Sequence, residues 1–405
     1  MKMKKEIEEK LLKAPFHYAE DNWNDFVKKD KTSLSAPVIH VAGSNGKSSV
    51  IAFLEGILIE AGYKVGAFSD VHSSCPFQGI RLNGENIKEE DFCGIFERKS
   101  KLFSKFDLSF QEMMTSVAFD YFEKKKPDIV LLESSLGGDF DPTNLPGLDT
   151  VLAILTSCGL VHTQYLGTTS SEIALNDAGI LKNETPLLVG SADENSKTAL
   201  LDFVKRMGSK FYQPDSYHFA HLLDGKYHFD YGGYSDLVLN SRAVSLLADA
   251  SLALEAIALI KSSFPVKEKA IREGLLRFDL AARFEAYGNL IFEGASNPEA
   301  IRTLIPSLNA LSFGKPIHVL YASRLGSNIA MNLPILGNAV ASINLTTFPD
   351  ENARAKEDYF LYEEDYPFVE DALAGAKALQ AKYPEDCVAF VGDLDFALWA
   401  RSRLL

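Results

Sequence analysis

The chain has 405 residues, 46% of them hydrophobic and 24% charged, with 41 Lys+Arg against 55 Asp+Glu and a formal net charge of −14. This average composition excludes a disordered chain, a collagen-like fibre and a coiled coil. At ~100–200 residues per domain it predicts two or three domains. The acidic balance argues against a nucleic-acid partner but allows a local basic pocket for small anions, and no run reaches the ~18 apolar residues of a membrane span.

In chain order, Met1 to Lys13 has a charged, amphipathic helical pattern without the apolar centre of a secretory signal. Cys75, Cys93, Cys158 and Cys387 are too far apart for a CxxC pair, which argues against a zinc site or a disulfide framework. A reduced, cytoplasmic setting is expected. Val38 to Val41 is a β-type run, and Ser48 to Glu60 follows with Ile51, Leu54 and Leu58 at helical spacing. Lys64–Phe68, Ile129–Leu132, Val151–Thr156 and Pro186–Val189 read as further strands, and Met113–Lys125 as a helix. Ser241 to Phe278 reads as a long helical stretch. Beyond it, Leu290–Phe292, Ile317–Tyr321, Ala339–Leu345 and Val388–Val391 are predicted strands, with helices over Pro298–Leu308, Ala372–Lys382 and Phe396–Leu404. Such alternation predicts an α/β fold. It comprises a mostly parallel phosphate-loop domain over 1–288 and a smaller Rossmann-like α/β domain over 289–405, with the boundary near Gly288.

The sharpest local signal is Gly43-Ser44-Asn45-Gly46-Lys47-Ser48-Ser49, lying between a strand and a helix. Glycines let the backbone approach phosphates, and helix N-terminal N–H groups favour negative charge. Lys47 can reach the β/γ-phosphates, and Ser48 or Ser49 can ligate Mg²⁺. The loop has only two residues between its glycines, fewer than the usual phosphate loop; the competing reading is a Gly-rich turn with a surface lysine.

With its flank His40-Val41-Ala42, this segment resembles the ATP loop of the Mur ligase superfamily. More narrowly, the chain resembles folylpolyglutamate synthase/dihydrofolate synthase, in motifs that keep their order over nearly its whole length. These include Ile80-Arg81-Leu82-Asn83-Gly84, Ser109-Phe110-Gln111-Glu112, Glu133-Ser134-Ser135-Leu136-Gly137-Gly138 with Asp141-Pro142-Thr143-Asn144, and Gly159-Leu160-Val161-His162. Arg283-Phe284-Glu285 and Gly294-Ala295-Ser296-Asn297-Pro298 complete the set.

The resemblance implies an ATP-dependent amide ligase that joins L-glutamate to folate or dihydropteroate through an acyl phosphate. Its expected cofactors are ATP and Mg²⁺, with K⁺ as a further cation. Its partners are small molecules alone, with no nucleic acid and no membrane, and a monomer is expected. The implied catalytic residues are Lys47, Glu133, His162, Asp177 and Ser296. Gly43, Ser44, Asn45, Gly46, Lys47, Ser48, Ser49, Asp249, Arg283 and Glu293 would bind nucleotide. Ser48, Asp70, Glu133 and His162 would hold metal, and Phe110, Glu112, Phe140 and Asp141 would face the pterin. The competing reading of Phe110 is a core residue, and that of Arg283 is a surface salt bridge to Glu285.

Several positions depart from the family pattern. Asp177 stands where a carbamylated lysine is usual, so it acts through a bridging water or the second metal is lost. Asp70 replaces a hydroxyl ligand, Ser296 replaces a histidine, and Asp139 replaces an arginine. Asp393 places an acid on the side of the incoming glutamate, where like charges repel. Two other readings therefore stay open: a ligase of the same fold with another amine or acid substrate, and a non-catalytic nucleotide- or folate-binding protein.

Overall fold

The computed structural model describes residues 5–15, 21–69, 76–312 and 314–405. The first helix, Lys5–Leu12, falls within the amphipathic stretch read from Met1 to Lys13. Eight strands then build the larger sheet: β1 (Val38–Ala42), β2 (Val65–Phe68), β3 (Ile80–Leu82), β4 (Glu85–Asn86), β5 (Ile129–Glu133), β6 (Thr150–Ser157), β7 (Leu187–Ser191) and β8 (Phe211–Tyr212). Their spatial order is β4-β3-β2-β5-β1-β6-β7-β8. The run from β2 to β8 is parallel, and β3 and β4 add an antiparallel edge. Helices cover both faces, so β1 is buried along its whole length and reads as a continuous apolar run rather than an alternating one.

One face packs on Phe92, Phe96, Phe103, Phe119 and Phe122, and another cluster gathers Ala174, Ile180, Val189 and Leu200. Register aligns the carboxyl ends of the central strands: Val41 lies opposite Glu133, and Ala42 opposite Leu155. The phosphate loop after β1 and the acid closing β5 therefore emerge at one edge, where open α/β sheets take their ligands.

The helical stretch expected from Ser241 to Phe278 is two helices, Ser245–Ile260 and Glu268–Leu276. The break falls at Pro265, which has no N–H to continue the helix and disfavours helical geometry at Phe264. Glu268–Leu276 packs against the loop's own helix, Lys47–Glu60, through two glycines. A Cβ on Gly56 would lie 2.6 Å from the Gly274 carbonyl oxygen, and one on Gly274 would lie 2.4 Å from the Ile57 Cα.

Sequence reading did not anticipate the three-stranded sheet of β9 (His218–Leu223), β10 (Lys226–Tyr231) and β11 (Tyr234–Leu239). A last sheet, ordered β12-β13-β16-β14-β15, contains β12 (Glu285–Tyr287), β13 (Leu290–Glu293), β14 (Ile317–Ala322), β15 (Ser342–Leu345) and β16 (Cys387–Gly392). It is parallel except for β12. The strand expected over Ala339–Leu345 starts only at Ser342, because the Ala339 N–H closes onto the Leu336 carbonyl and prolongs the preceding turn.

By compactness the chain forms two units. One comprises Met1–His218, Asp230–Val238 and Ala248–Phe278; the other comprises Phe219–Phe229, Leu239–Leu247 and Asp279–Leu405. Gly288 lies in the turn between β12 and β13, at φ +59°.

Candidate active site

The phosphate loop is held by the segment that follows β6. The Ser44 N–H donates to the Ser157 carbonyl (2.9 Å), and the Asn45 N–H donates to the Ser157 hydroxyl (3.0 Å). The Ser44 hydroxyl accepts from the Gly159 N–H (2.8 Å). Both loop glycines adopt left-handed backbone, Gly43 at φ +121° and Gly46 at φ +89°. A Cβ on Gly43 would meet the Ser157 carbonyl at 2.9 Å, and one on Gly46 would meet the Asp249 carboxylate at 2.4 Å. Asp249 thus stands directly against the loop. The Lys47 ammonium folds back onto the Gly43 carbonyl (2.7 Å).

Ser48, the second residue of the following helix, donates to Glu133 at 2.9 Å. A hydroxyl and a carboxylate in contact beneath a phosphate loop are hard oxygen donors that suit Mg²⁺. Among the described residues no three His, Cys, Asp or Glu side chains converge as a ready-made cage. His162, at φ +49°, opens a short helix after β6. It is solvent-exposed as a residue, yet the protein around its ring and then the Lys47 charge lower its pKa, which favours the neutral, lone-pair form.

Asp177 is buried at 2% exposure and its Oδ2 has no hydrogen-bond partner among the described residues. Burial pushes its carboxyl up to about 7; the Lys47 charge opposes that rise and Asp141 adds to it. Asp70 lies outside the described residues.

Glu112, Phe140 and Asp141, three of the residues expected to face the pterin, line a cleft together with Trp23, Asn24 and Asp139. Glu112 is buried and closes a capping box: it takes the Ser109 N–H on Oε2 (2.7 Å) and donates its own N–H to the Ser109 hydroxyl (3.4 Å). Phe140 is 55% exposed, an unusual position for a phenyl ring. Phe110 instead packs against the core, as its alternative reading allowed. Asp141 is buried and accepts N–H bonds from Ser135 (2.7 Å), Leu136 (3.1 Å) and Thr143 (3.0 Å). Burial raises its pKa while those bonds favour the ionised form. The cleft wall is sewn to the end of the helix Ser170–Asp177 and the turn after it: the Asp139 N–H donates to the Asn176 carbonyl (3.1 Å), and the Asn144 amide donates to the Gly179 carbonyl (3.0 Å) and, within the wall, to the Gly138 carbonyl (2.9 Å).

In the other unit, Glu285 pairs with Arg401 (2.7 Å), while the Arg283 charge acts on Glu293. Burial pushes the Glu293 carboxyl up to about 7 against the pull of Arg283 and of the Phe284 N–H. The Ser296 carbonyl accepts from the buried Asn332 amide (2.9 Å). Asp393 caps the last helix by accepting the Asp395 N–H (3.0 Å) and lies 3.4 Å from Arg324. Arg324 also meets Asp350 (2.7 Å) and Asp395 (2.6 Å), so one cation answers three carboxylates. Nothing in the sequence signalled this cluster, because its members are far apart along the chain.

No protein-family model matches the chain. The dihydrofolate synthase/folylpolyglutamate synthase of Escherichia coli is 31% identical over 278 residues, 68% of this chain and 64% of that protein. That of Bacillus subtilis is 27% identical over 396 residues, covering 90% of each. The chain is similar to proteins of the folylpolyglutamate synthase/dihydrofolate synthase family. A solved structure of E. coli FolC in complex with DHPP and ADP superposes with a TM-score of 0.87 over 98% of this chain and 97% of that one, at 24% identity. The α/β architecture read from the alternation of elements is thus the fold of this family. The matched stretch of the E. coli protein stops just short of two thirds of its length.

Proposed function

We propose that the protein is an ATP- and Mg²⁺-dependent amide ligase that adds L-glutamate to folate or dihydropteroate. The observation that carries the reading is the phosphate loop at the sheet's carboxyl edge, with Lys47 inside it and Ser48 in contact with Glu133. The loop amides and Lys47 bind the phosphates, Lys47 leaving the Gly43 carbonyl to meet the γ-phosphate. Ser48, Glu133 and neutral His162 hold Mg²⁺, which neutralises charge on the phosphates when bound. Asp177 supplies a second anion beside the loop. Asp249, Arg283 and Glu293 are nucleotide contacts, and Ser296 belongs to the amine side. The aromatic-lined cleft beside Phe140 takes the acceptor's flat ring, with Glu112 facing its N–H groups.

A carboxylate oxygen of the acceptor attacks the γ-phosphorus and ADP leaves. The amine nitrogen then attacks the acyl carbon, phosphate departs, and the amide remains after loss of a proton. Residues 1–288 serve the nucleotide and acceptor, and 289–405 serve the incoming amino acid and add Glu293 to the nucleotide contacts. The protein acts as a cytoplasmic monomer with K⁺ as a further cation. Among the described residues no helix is long and apolar enough to cross a membrane.

The test mixes the protein with ATP, Mg²⁺, K⁺, L-glutamate and dihydropteroate or tetrahydrofolate, and follows mass and ADP together. A glutamyl increment matched by ADP is expected; absence of ADP release with both acceptors sinks the reading. The three carboxylates around Arg324 favour a second reading, in which the amine donor carries no second negative charge. ADP release with neutral amino acids but not with glutamate would select it.

A further inference from the structure

We infer that His40 is a positioning residue for the acceptor: through Thr143 it orients Asp141 and so fixes the wall of the cleft beside Phe140. The inference rests on the proposed acceptor site. His40 lies in the middle of β1, fully buried, between Leu132 and Ala153 on the neighbouring strands. Its Nε2 is 2.9 Å from the Thr143 hydroxyl and 3.2 Å from the Ser134 hydroxyl, while its Nδ1 has no hydrogen-bond partner among the described residues.

Proton counting gives the chain a direction. Both oxygens of Asp141 accept backbone N–H groups, from Thr143 on one and from Ser135 and Leu136 on the other. The Thr143 hydroxyl spends its single proton on the Asp141 Oδ1. The bond between His40 and Thr143 must therefore be donated by His40. This selects the Nε2–H tautomer and leaves Nδ1 as a bare lone pair, the cheaper orphan in a buried site, since the alternative is a stranded N–H. Burial, aided by the Lys182 charge, lowers the His40 pKa to about 3, so the imidazole stays neutral and the direction of the relay does not change near neutrality. The relay ends on the Ser135 and Leu136 amides, two and three residues beyond Glu133, the last residue of β5. His40 thus acts on the cleft from within β1 through Thr143 and Asp141, touching no substrate itself.

Two measurements test this on the full-length chain. In ¹⁵N histidine NMR, with His40→Gln assigning the signal, His40 should show a protonated Nε2 and an unprotonated Nδ1 unchanged between about pH 8 and 5. An Nδ1–H tautomer or a protonated ring would overturn the relay. In calorimetry, His40→Phe and Thr143→Val should each weaken dihydropteroate binding about tenfold, the scale of one hydrogen bond, and leave AMPPNP binding within about twofold. His40→Gln, whose amide N–H can replace Nε2–H, should recover most of the loss. Equal weakening of both ligands, or none of dihydropteroate, rejects the positioning role; if His40→Phe does not fold, Thr143→Val carries the comparison. Failure of the wild-type chain to bind dihydropteroate would reject the acceptor assignment instead, with the relay still decided by NMR.

Discussion

Lys47 is the residue on which the proposed chemistry leans most. Its ammonium sits on the Gly43 carbonyl, within the loop that would hold phosphate. Lys47→Ala should lower kcat/KM for ATP by about 100-fold or more, read as ADP release, because one charge aimed at a transferring phosphoryl group is worth that much. Asp177 gives a pH signature. An unfolded carboxyl titrates near 3.8, whereas the folded one is raised to about 7. Below both values the group is protonated in each state and costs nothing. As pH climbs between them the unfolded chain loses its proton first, so stability falls, and the loss is complete above the folded value. Asp177→Asn removes that cost and should raise Tm at pH 8 by on the order of 5 °C, with little difference at pH 4, in EDTA without nucleotide. Of the site residues, those in contiguous motifs could be read from the chain. Glu112 was read as facing the pterin, but its capping box with Ser109 makes it a structural residue as well. The partners of Arg324, Trp23, Asn24 and the His40 relay could not be read, because folding assembles them from distant segments.

At the scale of elements, the loop's two glycines are not equivalent. A Cβ on Gly46 collides with the end of the Asp249 side chain, which can swing away; one on Gly43 collides with the Ser157 backbone, which cannot. Both substitutions also strain a left-handed backbone, at about 1–2 kcal/mol. Gly46→Ala should therefore weaken AMPPNP binding about tenfold by calorimetry, and Gly43→Ala at least tenfold more. Element boundaries show where pattern reading stops. Continuous apolar runs such as Val38–Val41 and Ile129–Leu132 identified buried parallel strands because both faces of the sheet are covered. Ser241 to Phe278 reads as one long helical stretch because apolar periodicity survives across Pro265, whereas the backbone forms two helices. β9 offers no apolar alternation because five of its six residues are exposed, whereas the inward alternation of Tyr227, Phe229 and Tyr231 in β10 is the signal in the sequence that marks this sheet.

For the whole molecule, charge is the governing property. With 55 acidic against 41 basic side chains, the field of the protein opposes every anionic substrate it is proposed to take. Raising ionic strength from about 20 to 200 mM shortens the Debye length and screens that repulsion. KM for the folate acceptor should fall modestly, roughly twofold, by steady-state kinetics at fixed free Mg²⁺. A rise would show that local cations, not the overall field, control approach.

The close contact of Gly56 with Gly274 has a mechanical consequence. Two helices touching backbone to backbone have no flexible side chains between them to act as a bearing, so neither can slide or rotate without a clash. The helix that starts at Lys47 is therefore an anchored post. Arrival of a nucleotide at its tip cannot drive it like a piston. Whatever displacement phosphate binding requires must be absorbed by the dihedral angles of residues 43–46 themselves, the part of the structure that glycine leaves free to move.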